Sequence, residues 1–221
     1  MNAPRPPGSQ KVIALVPVGT LEGAKSRLGG ALDAEERHDL AVRLLRRTLA
    51  ATAATPGIAE TIVITPDDEV RAIALEAGAR PIRQRSQGLN RGLREARADA
   101  IAAGADAILV LPIDLPLVSP DALGELLAPL AAAASLGKPD RPVVALVPDR
   151  HGRGTNALLV APPDAIEFAF GGDSRAAHVD CAADAGARLV ELAGGPLRLD
   201  LDTPEDLLLV QELAPESAHA R

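Results

Sequence analysis

Aromatic side chains are almost missing from this chain of 221 residues. They make up 1% of it, as two phenylalanines with no tryptophan or tyrosine. Proteins that bind single-stranded nucleic acid stack bases on such rings, so the usual platform for that partner is missing. The formal net charge of −7 also opposes binding to a phosphate backbone. We therefore expect no nucleic acid among the partners, although a local group of basic residues can still hold a small anion.

Cysteine and long apolar runs are equally scarce. Cys181 is the single cysteine, so no disulfide can form within the chain and nothing indicates a secreted, disulfide-rich domain. No stretch approaches the roughly 20 apolar residues that cross a bilayer, and residues 1–10 lack the apolar run of a signal peptide. These absences predict a cytoplasmic protein without a membrane partner. We expect a disordered tail at residues 1–10, a single domain at 11–214 and a frayed tail at 215–221.

What the chain does contain is an alternation of short apolar runs and longer helical patterns. Strands are predicted at residues 12–16, 61–65, 79–82 and 107–111, and helices begin near Asp33, Asp67, Asn90 and Ser119. Asp33 and Glu36 have the spacing of a capping box. The second half predicts strands at 143–147 and 157–160, then two short helices and two short strands, and a last helix from Thr203. This order predicts an α/β fold with a mostly parallel, mixed sheet flanked by helices.

The loop after the first strand is the first candidate for chemistry. It carries glycines together with Lys25 and Arg27. In open α/β sheets ligands bind at the carboxyl ends of the strands, where glycines let backbone N–H groups approach phosphates and basic side chains neutralise them. The loop does not match the spacing of a Walker loop. An ordinary solvated basic loop would have the same composition, so the loop alone leaves both interpretations open.

Carboxylates follow two extended segments and predict a metal site. Asp114 comes directly after the buried run 107–111, where a bound triphosphate would place its Mg²⁺, an ion that prefers a few carboxylates plus phosphates. Asp200 and Asp202 alternate along a short extended run and therefore point to one face. The alternatives are structural: Asp114 could cap a turn, and Asp202 or Thr203 could cap the last helix.

Three glycine-bearing turns offer neutral donors. Thr155 follows the turn-rich segment 149–154, and Gly171 precedes a helix start at Asp173 or Ser174. Helix N-termini bind anions, so both segments are candidates for a phosphate or carboxylate, with plain turn chemistry as the alternative. Gly88 and Asn90 open another helix and could contact a base or ribose, but Asn90 could equally be an N-cap. Neither His151 nor His178 has the spacing of a metal ligand.

Taken in order, these motifs resemble a known family, from residue 12 to about residue 209. The motifs are AKSRL at 24–28, GLN at 88–90, IDLP at 113–116, GT at 154–155, FG at 170–171 with Ser174, and DLDTP at 200–204. They resemble those of the guanylyltransferases of coenzyme F(420) biosynthesis, which act on 2-phospho-L-lactate or phosphoenolpyruvate. One departure is Gly19, because family members often carry a lysine shortly after the first strand.

The resemblance implies a nucleotidyltransferase fold of the GT-A type, with GTP and Mg²⁺. It implies Asp114, Asp200 and Asp202 as metal ligands, and Lys25 and Arg27 at the phosphates. It also implies that the nucleotide lies near Gly88 and Asn90, with Lys25, and that the phosphorylated three-carbon acid lies at Thr155, Gly171 and Ser174.

The resemblance leaves several points open. The acid could be phosphoenolpyruvate, 2-phospho-L-lactate or 3-phospho-D-glycerate. Another small nucleotidyltransferase, of the molybdopterin or sugar-phosphate type, and a non-catalytic nucleotide-binding module are the alternatives for function. The oligomeric state is open as well, a homodimer included.

Overall fold

The computed structural model describes residues 10–135 and 141–213. The tails predicted at the two chain ends lie outside these ranges, apart from Gln10. Within the described ranges, none of the helices is long and apolar enough to cross a membrane.

A seven-stranded sheet forms the centre of the molecule, in the order β3-β2-β1-β4-β6-β5-β7. Its strands are β1 (Val12–Pro17), β2 (Ile58–Thr65), β3 (Arg80–Arg83), β4 (Ala107–Val110), β5 (Val143–Pro148), β6 (Thr155–Ala161) and β7 (Arg188–Glu191). Parallel pairs join β1 to β2 and β4, β2 to β3, and β5 to β7. Only β6 runs against its neighbours β4 and β5. The mostly parallel, mixed sheet predicted from the sequence is therefore confirmed.

The described part of the chain contains six α-helices, of which five cover the two faces of this sheet and the sixth packs against the first. They are α1 (Ala34–Ala54), α2 (Asp68–Glu76), α3 (Leu89–Ala102), α4 (Pro120–Ser135), α5 (Ser174–Asp184) and α6 (Pro204–Leu213). Buried side chains of α3 and α5 pack on one face, and those of α1, α2 and α4 pack on the other. Apolar side chains on both faces explain why the central strands are continuous hydrophobic runs in the sequence.

Local sequence signals fix where several helices begin. The Asp33 carboxylate accepts the Glu36 N–H, and the Glu36 carboxylate accepts the Asp33 N–H, which is the predicted capping box. Asp67 caps α2 by accepting from two N–H groups of its first turn. The Ser119 hydroxyl accepts the Ala122 N–H at the start of α4.

Two predictions of elements are wrong. The segment between β6 and α6 contains one α-helix, one strand and a short 3-10 helix (Pro196–Arg198), where two helices and two strands were predicted. Residues 199–203 join no strand of the sheet, because their polar groups bond to neighbouring loops instead. Asn90 is not an N-cap: Gly88 occupies that position, and Asn90 lies inside the first turn of α3.

Candidate active site

Two acidic segments meet beyond the carboxyl end of β4. Asp114 lies four residues after that strand, and its carbonyl accepts the Leu201 N–H at 2.8 Å. This bond holds the segment of Asp200 and Asp202 against the loop of Asp114, although Asp114 and Asp200 are 86 positions apart in the chain. The structure thus brings together the three carboxylates that the resemblance implies as metal ligands.

Lys25 lies between these carboxylates in a backbone conformation that is unusual for its residue type. Its φ of 53° places it in the left-handed region, and it is the one non-glycine residue with positive φ among those described. Its side chain is only 9% exposed, and its Nζ lies 3.1 Å from Asp202 Oδ1 and 3.9 Å from Asp114 Oδ2. Such strain persists only where the surroundings enforce it, and it concentrates at functional sites.

Arg27 adds a second, weaker positive charge to the same carboxylate. Its Nη1 lies 3.5 Å from Asp202 Oδ2, and the side chain is 76% exposed. Lys25 and Arg27, which were expected to contact phosphates, both contact the Asp202 carboxylate. The exposed guanidinium is free to turn, whereas the Lys25 ammonium is enclosed.

Mutual repulsion and desolvation tune the acids of this cluster. Desolvation raises the pKa of Asp114, Lys25 opposes this effect, and the charges of Asp202 and Asp200 raise the pKa further. Desolvation also raises the pKa of Asp200, while a hydrogen bond from Asn156 lowers it. The site therefore holds more negative charge than its single enclosed lysine neutralises, and added positive charge will stabilise it.

The donor set fits a hard divalent cation that is completed by substrate. Carboxylate oxygens are the ligands that Mg²⁺ prefers, and this ion is usually held by one or two carboxylates together with phosphates and water. Within residues 10–135 and 141–213 no group of three or more acidic, histidine or cysteine side chains is placed so that it could hold a metal ion. A cation at Asp114, Asp200 and Asp202 would therefore need further donors, such as substrate phosphates and water.

Polar neighbours hold the acidic segment in place. The Asn156 amide donates to the Leu197 carbonyl at 3.0 Å and to Asp200 Oδ1 at 3.4 Å. The Thr203 hydroxyl accepts the Asp206 N–H, and the Asp206 carboxylate accepts from the Thr203 N–H and hydroxyl. Thr203 thus caps α6, which was one of the two structural alternatives for this segment. The side chains of Asp200 and Asp202 do not serve as the cap and can contact other groups.

A β-bulge at the start of β6 reverses the faces of the sheet to which Thr155 and Asn156 point. Val147 pairs with Ala157 and Pro148 pairs with Thr155, so Asn156 is an extra residue in β6. Asn156 contacts Leu197, which packs in the same core as Ala157. Thr155 instead faces α5. Regular alternation would have placed the two side chains the other way round.

Thr155 is a strand residue and not part of the turn in which it was predicted. It is 7% exposed, and its Oγ1 lies 3.0 Å from Nδ1 of His178, a fully buried residue of α5. The other ring nitrogen, Nε2, accepts the Ala169 N–H at 3.0 Å. Burial lowers the pKa of His178 to about 4, so the ring is neutral at physiological pH.

Gly171 and Ser174 lie on the segment that leads into α5. The helix begins at Ser174, as predicted, and Gly171 has a φ of 148° that favours glycine. The expectation of free N–H groups at this helix start is wrong in two places. The Ser174 N–H bonds the Gly171 carbonyl, and the Arg175 N–H bonds the Arg153 carbonyl. Ser174 is 3% exposed, so its hydroxyl is nearly enclosed.

Gly88 and Asn90 have different surroundings in the structure. Gly88 lines a cavity of about 470 Å³, whose walls are formed by residues 17–20, 66 and 84–89. The side chain of Asn90 is not part of that lining. Its amide donates to the Phe170 carbonyl and accepts the Phe170 N–H, at 2.9 and 3.0 Å. Asn90 therefore ties α3 to the Gly171 segment.

Sequence reasoning missed His178 and the positioning role of Asn156. His178 was considered only as a metal ligand, and its contact with Thr155 depends on how α5 crosses the sheet. The sequence signal for its burial was that His178 lies among small residues, in the stretch AAHVDCAA at 176–183. Asn156 lay within a segment that was singled out, but its partner Asp200 is 44 residues away.

Comparisons with known proteins show the family to which the chain belongs. The model of the family "Guanylyl transferase CofC like" matches residues 12–214. A phosphoenolpyruvate guanylyltransferase of Sphaerobacter thermophilus is 42% identical over 93% of this chain and 95% of its own length. That of Rubrobacter xylanophilus is 40% identical over 89% of this chain and 91% of its own.

The solved structures bear on the fold. A protein from Desulfovibrio desulfuricans G20 assigned as a nucleotide-diphospho-sugar transferase aligns with a TM-score of 0.73 at 18% identity, over 96% of this chain and 91% of its own. This similarity confirms the predicted fold of the nucleotide-diphospho-sugar transferases. The family inferred from the motifs is confirmed too: the chain belongs to the CofC-like guanylyl transferases and is a nucleotidyltransferase.

Proposed function

We propose that this protein transfers GMP from GTP to phosphoenolpyruvate with release of pyrophosphate, as a step of coenzyme F(420) biosynthesis. The names of its relatives support phosphoenolpyruvate as the acid. The observation that carries the proposal is the Asp114–Lys25–Asp202 cluster at the carboxyl end of β4. It lies at the edge of an α/β sheet where nucleotides bind.

The chemistry asks for charge neutralisation rather than for a protein base. A phosphate oxygen of the acid forms a bond to the α-phosphorus of GTP. The bond between the α-phosphorus and the oxygen that bridges the α- and β-phosphates breaks, and pyrophosphate leaves. The attacking phosphate is ionised at neutral pH and needs no proton removed. Positioning and stabilisation of the negative charge then account for the rate.

Mg²⁺ is the cofactor we propose, held by Asp114, Asp200 and Asp202 with substrate phosphates. When bound, it polarises the phosphates and neutralises charge on the leaving pyrophosphate. Asn156 keeps the Asp200 carboxylate oriented. Lys25 and Arg27 supply the remaining positive charge next to Asp202.

The two substrates are assigned to different parts of the edge. The cavity bordered by Gly88 has a volume suited to a nucleoside, and its polar lining residues are Thr20, Gln84, Arg85, Ser86 and Gln87. We propose that GTP binds there. The acid is assigned to Thr155, Gly171 and Ser174, on the side where the Asn90–Phe170 clamp joins α3 to the loop before α5.

A product assay tests the proposal. The purified protein is incubated with GTP, Mg²⁺ and, in separate reactions, phosphoenolpyruvate, 2-phospho-L-lactate or 3-phospho-D-glycerate. Pyrophosphate release is followed, and the product is identified by mass spectrometry. We expect the guanylylated adduct of phosphoenolpyruvate to form fastest. Faster turnover of either of the other acids would reassign the substrate, and no pyrophosphate with any of the three would refute the proposed reaction.

A further inference from the structure

The buried imidazole of His178 has two hydrogen-bond partners, and they determine which nitrogen carries its proton. Nε2 lies 3.0 Å from the backbone N of Ala169, and Nδ1 lies 3.0 Å from Thr155 Oγ1. A backbone N–H can only donate, so Nε2 must accept and carries no hydrogen. The neutral ring then has its hydrogen on Nδ1, which donates to the threonine oxygen.

This assignment determines the role of the Thr155 hydroxyl. The hydroxyl oxygen accepts from His178, and its single hydrogen remains available for a third group. With the opposite tautomer the hydroxyl would donate to the ring, and it would present only lone pairs to its surroundings. An anion needs the first arrangement, because lone pairs would repel its oxygens.

Neighbouring groups hold the ring in this orientation. The Phe170 ring meets the imidazole edge-on, with 4.8 Å between centroids and 69° between planes. The backbone of Phe170 is itself fixed by both polar atoms of the Asn90 amide. His178 has 0% exposure, so water does not compete for its two nitrogens.

We propose that His178 is a positioning residue that holds the Thr155 hydroxyl as a donor toward the phosphorylated acid. The inference rests on the proposed placement of the acid at Thr155. It adds a reason for ligand selectivity. The Thr155 hydroxyl can donate a hydrogen bond to an anionic oxygen, and it disfavours a ligand group that must itself donate. The bulge in β6 makes this contact geometrically available, since it turns Thr155 toward α5.

Two substitutions separate the two nitrogens of His178. In His178→Asn the amide nitrogen can take the place of Nδ1 and keep a donor to Thr155. In His178→Gln the terminal oxygen can take the place of Nε2 and keep the acceptor for Ala169, while the donor to Thr155 is lost. We expect the glutamine variant to raise the KM for the acid about three- to tenfold. The KM for GTP should stay within about twofold in both variants, and the asparagine variant should keep an acid KM close to wild type.

A double-mutant cycle with Thr155→Val shows whether His178 acts through Thr155. In the valine background, His178→Gln should change the acid KM by less than about twofold. An equal factor in both backgrounds, or a parallel rise in the KM for GTP, would overturn the positioning role. An unchanged acid KM in Thr155→Val alone would instead refute the proposed acid site. The two failures are therefore distinguishable.

A measurement on the unmodified protein does not depend on how the variants fold. Nitrogen-15 NMR of histidine-labelled protein reports which ring nitrogen carries the hydrogen. We expect the His178 signal to show hydrogen on Nδ1 at neutral pH. Hydrogen on Nε2 would overturn the inference.

Discussion

The buried imidazole of His178 makes the stability of this protein sensitive to acid in a defined pH window. Its pKa falls from 6.5 to about 4 on folding, because burial disfavours the charged ring. Between these two values the unfolded chain binds a proton that the folded protein does not. The free energy of unfolding therefore decreases as the pH falls through this window, and the loss is complete below about pH 4.

The magnitude follows from the size of the pKa change. The full difference corresponds to about 3 kcal/mol, and about 2.5 kcal/mol of it is lost at pH 4.5. The assay is urea unfolding at about pH 7.5 and pH 4.5, for the wild type and for His178→Gln. The variant should be the less stable protein at the higher pH, because it loses a buried hydrogen bond. It should lose about 2.5 kcal/mol less than the wild type on going to the lower pH.

A surface histidine provides the control. His38 is exposed, and a hydrogen bond with Glu69 raises its pKa, so its contribution to stability has the opposite sign and is lost as the pH rises. His38→Gln should therefore not reduce the acid sensitivity of the fold. The reasoning would be refuted if the free energy of unfolding fell by the same amount between the two pH values in the wild type and in His178→Gln.

Three further predictions concern catalysis. Asp114→Asn should abolish pyrophosphate release while the melting temperature stays equal or rises, since repulsion from Asp200 and Asp202 is relieved; near-normal activity at millimolar magnesium would contradict the metal role. GTP should be turned over faster than ATP, CTP or UTP in the same assay, and equal rates with ATP would remove the base preference. Thr155→Val and Ser174→Ala should each raise the KM for the acid roughly tenfold to a hundredfold, as expected for a lost bond to an anion. The KM for GTP is the internal control for both, and an equal shift in the two constants would contradict the assignment.

Local signals in the sequence were sufficient for most of the fold. The capping box at Asp33 and the cap at Asp67 act within four residues of themselves, so they can be recognised without tertiary information. The continuous apolar runs of β1 and β4 reflect burial on both faces of the sheet. Asp114 was found from the sequence because it follows a buried strand whose end lies at the ligand-binding edge of this class of fold. Asp200 and Asp202 lie on a segment outside the sheet, and it was the resemblance that implied their place beside Asp114.

The contacts that refine the site depend on tertiary placement. Asn90 was interpreted as a cap or base contact, but its amide bonds a backbone segment 80 residues away. Thr155 was placed in a turn because glycines precede it, whereas pairing with Pro148 makes it a strand residue. No local pattern in the sequence indicates that Lys25 adopts a left-handed conformation or that its ammonium meets Asp202, 177 positions along the chain.

The extra residue in β6 has a consequence for how the acceptor specificity of this enzyme can change. Thr155 and Asn156 are adjacent in the chain, yet the sheet itself separates what they touch: one contacts α5, and the other contacts the Asp200 segment. Substitutions on the α5 side can therefore reshape the proposed acid site without disturbing the carboxylates of Asp114, Asp200 and Asp202. A library confined to residues 171–178 should yield variants with new acids as acceptors and unaltered use of GTP.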